Sequence, residues 1–248
     1  MRALITNDDG VDSFGLAVLA EAATAAGLEV TVAAPSWDSS GASSSLTGVE
    51  RDGRLTAEQR NLPRTEIVAH AVDAAPAMIT VAALRGGFGP PPDIVLSGIN
   101  CGRNTGHAVL HSGTVGAALT GCNLGANGMA ISLDSDHPIH WETAGHVAER
   151  VVGWLVGAGP QVVVNINVPD VTVADLRGLR MAPLATVGAV QTNITDTGKG
   201  YLHVTYEPPS DPEPGTDAAL LAEGWAVATP LRSLVEDTAV DTTGLPFR

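Results

Sequence analysis

The chain has 248 residues, with 27 acidic against 13 basic side chains and a formal net charge of −14 at pH 7. No stretch concentrates the few Lys and Arg, which excludes a surface for duplex nucleic acid or an anionic membrane, since both need clustered positive charge. At 44% hydrophobic and 4% aromatic, with 28 Gly and 16 Pro, the composition is globular and skewed to small residues, with length for one domain plus appendages or two small ones.

The opening Met1-Arg2-Ala3-Leu4-Ile5 turns polar at Thr6-Asn7-Asp8-Asp9, far short of the ~7–15-residue apolar core of a secretory leader, and no later segment approaches ~18 uninterrupted apolar residues. A cytoplasmic protein is expected. Cys101 and Cys122 are too few for a disulfide framework and are expected as thiols, Cys122 in the core and Cys101 a packed small residue.

Ala3-Leu4-Ile5 reads as a buried strand, and Leu16, Leu19, Ala20, Ala23 and Ala26 repeat at helical spacing before Gly27 stops the helix. Leu28–Ala34 is a second strand ended by Pro35, which makes a right-handed βαβ opening. A Ser- and Gly-rich segment spans Ser36–Ser45, then two antiparallel strands are expected near Leu46–Leu55 and Arg64–Val72. Pro76 suits the first turn of a helix reaching about Arg85. Asp93–Leu96 is the next buried strand, followed by a Gly/Asn-rich loop from Gly98 to Gly113 and a helix of small residues over Thr114–Leu124.

Met129–Leu133 reads as a strand, Trp141–Val156 as an amphipathic helix and Val162–Ile166 as another strand. Beyond Pro169 the chain changes to short β runs broken by Gly, Pro and Asp, with a connection at Thr205–Asp217 and a last strand at Gly224–Pro230. Such a tail cannot bury itself alone and is expected to pack on the core or on another subunit. The division is therefore a catalytic core over 1–169 and a β-rich segment over 170–248 that is not an independent domain.

Three polar clusters follow buried strands: Asn7-Asp8-Asp9-Gly10, Ser39-Ser40-Gly41-Ala42-Ser43 and Ser97-Gly98-Ile99-Asn100. Each alone is an ordinary turn or loop, because Asn, Asp, Ser and Gly are turn residues. Together they can converge, since ligands of open α/β sheets bind outside the carboxyl ends of the strands. Two carboxylates, a Ser hydroxyl and an Asn carbonyl form an all-oxygen set that suits Mg²⁺, Mn²⁺ or Ca²⁺ and argues against zinc or copper. The pairs His107/His111 and His137/His140 make no rival site, because the helices they would need are interrupted by Gly, Asn and Pro.

Further on, His111-Ser112-Gly113-Thr114-Val115 opens the small-residue helix, whose first N–H groups with neighbouring hydroxyls can hold phosphate without net positive charge. Gly98, Gly102 and Gly106 are spaced by four, so neither G-x-G-x-x-G nor a P-loop is present. A divalent metal beside a phosphate pocket points to hydrolysis of a phosphomonoester.

These residues, with Asn165-Ile166-Asn167-Val168-Pro169 and Gly215-Thr216-Asp217, occur in the order seen in the SurE family of survival-protein 5′-nucleotidases, and the chain resembles that family from Met1 to about Leu231. The resemblance implies a Rossmann-like three-layer α/β/α fold with a mostly parallel sheet, C-terminal segments exchanged between subunits, a homodimer or homotetramer, and one Mg²⁺ or Mn²⁺ per subunit. Carried over residue by residue, the metal ligands fall on Asp8, Asp9, Ser40 and Asn100, and the phosphate contacts on Asn104, Ser112, Gly113 and Thr114, with Gly41 beside them. The substrate implied is a nucleoside 5′-monophosphate, a small phosphate ester, with 3′-monophosphates and short polyphosphate as further candidates. Asp9 is the candidate for orienting the attacking water and His111 for protonating the leaving group.

The chain departs from the family pattern at Trp37-Asp38-Ser39, at Ala75-Pro76-Ala77-Met78, at Cys101, and at Arg103 and His111, which stand where Pro and Tyr are usual. None removes a ligand. Arg103 is a candidate contact to a second anionic group, and the departures keep two alternatives open: a phosphatase of another metabolite, or a nucleotide-binding protein with weak turnover. An aspartyl-phosphate route is disfavoured, because it would want Asp-x-Asp after the first strand. The segment Asn193–Tyr201, with Lys199 and Tyr201, reads as either a lid or an exposed hairpin tip.

Overall fold

The structure, a computed structural model, describes residues 1–186, 191–196, 202–207, 212–237 and 239–240. In chain order its elements are β1 (Arg2–Thr6), α1 (Phe14–Ala25), β2 (Glu29–Pro35), β3 (Glu50–Arg51), β4 (Arg54–Leu55), β5 (Ala57–Asn61), β6 (Val68–Val72), α2 (Pro76–Leu84) and β7 (Ile94–Cys101). A 3-10 turn over Gly106–His111 leads into α3 (Gly113–Asn123), β8 (Asn127–Asp134), α4 (Trp141–Val156), β9 (Val163–Pro169), β10 (Leu179–Met181), β11 (Gln191–Asp196), β12 (Leu202–Glu207), α5 (Asp217–Ala222) and β13 (Ala226–Leu231).

Nine strands form one sheet in the order β10-β13-β9-β8-β7-β1-β2-β6-β5. From β6 to β9 every neighbouring pair is parallel; β5 joins one edge antiparallel to β6, and β13 joins antiparallel to β9. The chain runs outward from β1 through β2 and β6, then returns to build β7, β8 and β9 on β1's other side. This reversal puts the topological switch point between β1 and β7, where the crossovers leave in opposite directions and a crevice opens at the strand ends.

Helices α1 and α4 cover one face, over Ile5, Leu96, Met129 and Ile166, while α2 and α3 cover the other, over Leu4, Val95 and Ala130. The expected three-layer α/β/α fold is thus present. Local chemistry sets the helix ends: the Ser13 hydroxyl accepts from Leu16 N at 3.4 Å to cap α1, and Gly27 takes a left-handed φ of 84° just past its end. In α4 the buried Ala144, Val147, Ala148, Val151, Val152 and Leu155 fall on one helical stripe.

Three local expectations are corrected. The strand expected at Leu46–Leu55 is only the two-residue strands β3 and β4, and the partner of β6 is β5, antiparallel through Ala57–Asn61. β5 is exposed at every position, so no apolar alternation marks it. The strand expected to stop at Leu96 runs to Cys101, so Ser97-Gly98-Ile99-Asn100 lies within β7, with a register shift against β8 between Ser97 and Asn100. The expected connection at Thr205–Asp217 begins within β12 and ends where α5 starts, a helix too short to show periodicity. In the tail, β13 and β10 extend the main sheet beyond β9, and β11 pairs with β12 as a separate antiparallel hairpin. Lys199 and Tyr201 of the lid expectation lie outside the described residues.

Gly15 lets α1 rest on the site-bearing strand, because a Cβ there would sit 2.0 Å from the Ile99 carbonyl oxygen and 2.7 Å from the Trp141 ring. Gly15→Ala should lift α1 from β7 and cost about 1–3 kcal/mol, as overpacking does. At ~2–4 °C per kcal/mol for a chain of this size, a thermal melt followed by circular dichroism should show a clear drop; an unchanged midpoint would contradict this packing.

Candidate active site

The turn after β1 is built by Asn7, whose Nδ2 donates to Gly10 O at 3.1 Å and to Ser13 Oγ at 2.6 Å, while its Oδ1 accepts from Gly10 N at 3.2 Å. The Asn-Asp-Asp-Gly run is therefore a true turn, and it also aims two carboxylates into the switch point. Asp8, 3% exposed, accepts from Thr114 N at 3.1 Å through Oδ2 and from the Thr114 hydroxyl through Oδ1. Only a glycine can precede Thr114, since a Cβ at Gly113 would lie 2.7 Å from Asp8 Oδ2. The Thr114 hydroxyl also lies 3.2 Å from Asn100 Oδ1. Asn100 is oriented by its own amide, which donates to Gly102 O at 2.7 Å and Cys101 O at 3.2 Å and leaves Oδ1 toward Asp8's side.

Asp9 has less support: its Oδ2 accepts from Cys101 N at 3.1 Å. Burial, then the charge of Asp8, pushes Asp9 up to about 7. Burial also raises Asp8, opposed by its bonds to Thr114. The charge of Asp38 adds to both. Oxygen acceptors thus outnumber the donors at this corner, a set that suits a hard divalent cation. Among the described residues, no three His, Cys, Asp or Glu side chains are grouped to hold a metal; this set instead combines two carboxylates with amide and hydroxyl oxygens.

Ser39 docks the second loop on the first, its N and Oγ donating to Asp8 O at 2.7 and 3.2 Å. Ser40 is exposed and gives both N–H and O–H to Asp38 Oδ1. Gly41 follows with a left-handed φ of 79°. Ser112 is the N-cap of α3, where its Oγ accepts from Val115 N at 3.1 Å. Of the α3 amides expected to meet phosphate, Thr114 N is therefore bound to Asp8 and Val115 N to Ser112. Two of the three amides over 113–115 are thus already engaged within the protein, and the anion that meets Thr114 N is the protein's own carboxylate.

Asn104 is held by residues that composition alone did not single out. Asn104 N donates to Asn167 Oδ1 at 2.7 Å, Asn104 O accepts from Asn165 and Asn167 Nδ2 at 2.8 Å each, and Asn104 Nδ2 donates to Ser132 Oγ at 2.9 Å. Their signal was two buried Asn at i and i+2 in an otherwise apolar strand. Arg103 pairs with Asp134 at 3.6 Å, and His111 is exposed on the 3-10 turn. Cys101 is exposed rather than packed, with its Sγ against Ser135 O and Asp136 O. Burial, then the charges of Asp9, Asp136 and Asp170, pushes its thiol up and away from thiolate reactivity.

The strand order, the reversal at β1/β7 and an oxygen-lined corner at the strand ends define a doubly wound α/β protein whose candidate site lies at the switch point, where ligands of such sheets bind. Within that class the chain belongs to the SurE family, since residues 3–190 match the family described as "Survival protein SurE". It is 36% identical over 242 residues to the 5′-nucleotidase SurE of Xylella fastidiosa strain M12, covering 93% of this chain and 89% of that protein. It is 38% identical over 239 residues to the 5′-nucleotidase SurE of Pseudomonas putida strain KT2440, covering 94% and 92%. The crystal structure of the SurE protein from Aquifex aeolicus superposes with a TM-score of 0.80 at 28% identity over 96% of both chains.

The raised Asp9 sets the sign of a pH effect. Between its ordinary range near 3.8 and about 7 the folded chain holds a proton that the unfolded chain has released. With metal chelated, the Asp9 contribution to stability should therefore fall as pH rises from about 4 to about 7. Urea denaturation in EDTA should show a shallower fall over this window for Asp9→Asn than for the parent, and parallel curves would refute the assignment. Cation binding displaces the same proton, so Mn²⁺ affinity should rise over the same range.

Proposed function

We propose that this chain is a divalent-cation-dependent phosphomonoesterase that releases phosphate from nucleoside 5′-monophosphates. The observation that carries the reading is the convergence of Asp8, Asp9 and Asn100 oxygens at the switch point, beside Thr114 and with the Ser40 loop docked on Asp8's backbone. The curated relatives at 36–38% identity over more than nine-tenths of the chain carry the name 5′-nucleotidase and support the substrate class.

Asp8, Asp9, Ser40 and Asn100 would hold the cation, Mg²⁺ or Mn²⁺, and when bound it supplies positive charge to the phosphoryl oxygens and acidifies a water. Asp8 is immobilised by Thr114 and serves as a fixed ligand. Asp9, tied by a single N–H, orients the water and takes its proton. Ser112 spends a lone pair on Val115 N and keeps its O–H to donate to phosphate, and the clamped Asn104 sets the opposite wall. Gly113 gives close approach, His111 protonates the leaving oxygen, and Arg103 at the rim meets a second anionic group where the substrate has one.

The protein is cytoplasmic on this reading, in keeping with its two free thiols, and works as a homodimer or homotetramer through its C-terminal segment. An apolar cavity of about 650 Å³ between α4 and β9, β10 and β13 supports a second copy on that side; Trp154, Leu179 and Met181 line it and are at least half exposed.

The test is phosphate release from nucleoside 5′- and 3′-monophosphates, sugar phosphates and short polyphosphate with Mg²⁺ or Mn²⁺, and EDTA as control. 5′-Monophosphates should be the best substrates and EDTA should abolish turnover. Asp8→Asn should lose at least 100-fold in kcat/KM, about 2.7 kcal/mol or more of transition-state stabilisation, while keeping a folded far-UV spectrum. Near-parental turnover by Asp8→Asn with saturating metal would overturn the reading.

A further inference from the structure

A serine hydroxyl carries two lone pairs and one hydrogen, and an acceptor that takes the hydrogen holds the lone pairs free for a cation. In this chain that acceptor is Asp38. Ser40 Oγ donates to Asp38 Oδ1 at 2.6 Å and Ser40 N donates to the same oxygen at 2.9 Å. One carboxylate oxygen therefore fixes both the backbone and the side chain of the residue, and the short O–H bond is of the charge-assisted kind.

The loop carrying Asp38 is itself seated on the carboxylate turn. Ser39 N donates to Asp8 O at 2.7 Å, Val11 N donates to Pro35 O at 2.8 Å, and the Cβ position of Gly10 lies 3.2 Å from the Trp37 backbone. Asp38 is close enough for its charge to be felt at Asp8 and Asp9. The Trp37-Asp38-Ser39 stretch, a departure when viewed as sequence, is thus coupled to the site from both ends.

We propose that Asp38 is a positioning residue for the cation site: it takes the hydrogen of the Ser40 hydroxyl and leaves the oxygen lone pairs to a divalent cation. A carboxylate does this better than a neutral acceptor because it also draws the proton away and makes the serine oxygen a stronger donor. The inference rests on the ligand set Asp8, Asp9, Ser40 and Asn100 proposed above.

Titrating the full-length, substrate-free chain with Mn²⁺, by calorimetry and by the electron paramagnetic resonance of free Mn²⁺, tests it without any turnover. Asp38→Ala should weaken Mn²⁺ binding about 10–100-fold, the scale typical of losing an outer-shell partner. Asp38→Asn, which keeps an oxygen acceptor, should lose less and covers the case in which the alanine variant does not fold, which melts in EDTA report. Because Asp38 acts through Ser40, the double variant Asp38→Ala/Ser40→Ala should bind no more weakly than Ser40→Ala. Parental affinity in Asp38→Ala, parental affinity in Ser40→Ala, or losses that add in the double variant would each overturn the inference. Failure of the parent itself to bind Mn²⁺ would instead remove the ligand set on which it rests.

Discussion

The carboxylate of Asp8 at the N-terminus of α3 fixes the geometry of the whole site. A buried carboxylate is costly unless hydrogen-bonded, and here a helix amide, a hydroxyl and the positive end of an 11-residue helix all oppose that cost. The contact in turn fixes where α3 begins, and it requires Gly113 because a side chain would collide with the acid. Asp9 has one backbone N–H and no helix end, and burial with the charge of Asp8 pushes it up to about 7. Two adjacent acids thus differ in what holds them: one is bound into the scaffold by the start of α3, the other is tied by a single N–H.

This contact depends on topology. Residues 8, 40, 100 and 114 are far apart in sequence, but β1 and β7 are neighbours, with Thr6 beside Ser97, and the helices after them leave on opposite faces. The α3 face of the strand ends is polar from strand to strand: Thr6 on β1, Ser97 on β7, Ser132 on β8, then Asn165 and Asn167 on β9, all at most 1% exposed. A layer of buried hydroxyls and amides is poor at holding helices by hydrophobic contact. It is well suited to holding a loop, and Asn104 is gripped there through its N–H, carbonyl and side chain.

Much of this is legible in the sequence where the period is long or the punctuation strong. Trp141–Val156 is read to the residue because its apolar stripe repeats over four turns, and Pro76 and Gly27 mark helix ends by their backbone constraints. Exposed β5 and six-residue α5 are not legible, since neither has an apolar pattern. The carboxylates and Asn100 are legible as residues, but the capture of the α3 amides by Asp8 and Ser112 is not. Motif order shows which groups meet and says nothing about which donors they have already consumed.

The tail shows the same limit from the other direction. Asp217, completely buried, accepts from Gly106 N at 2.8 Å, Ala185 N at 2.9 Å and Ala218 N at 2.8 Å, so a residue over one hundred positions downstream holds the loop that carries Asn104 and His111. Its charge is satisfied by N–H groups alone, and Arg103 at the rim is committed to Asp134. The excess of acid in the whole chain is therefore repeated around the site, where Asp8, Asp9 and Asp38 face no paired base among the described residues. Such a corner attracts a cation and repels a phosphate ester, so on the proposed reading substrate affinity is linked to cation occupancy. On that reading the negative charge of the corner prepares the site for a small phosphate once the cation is bound.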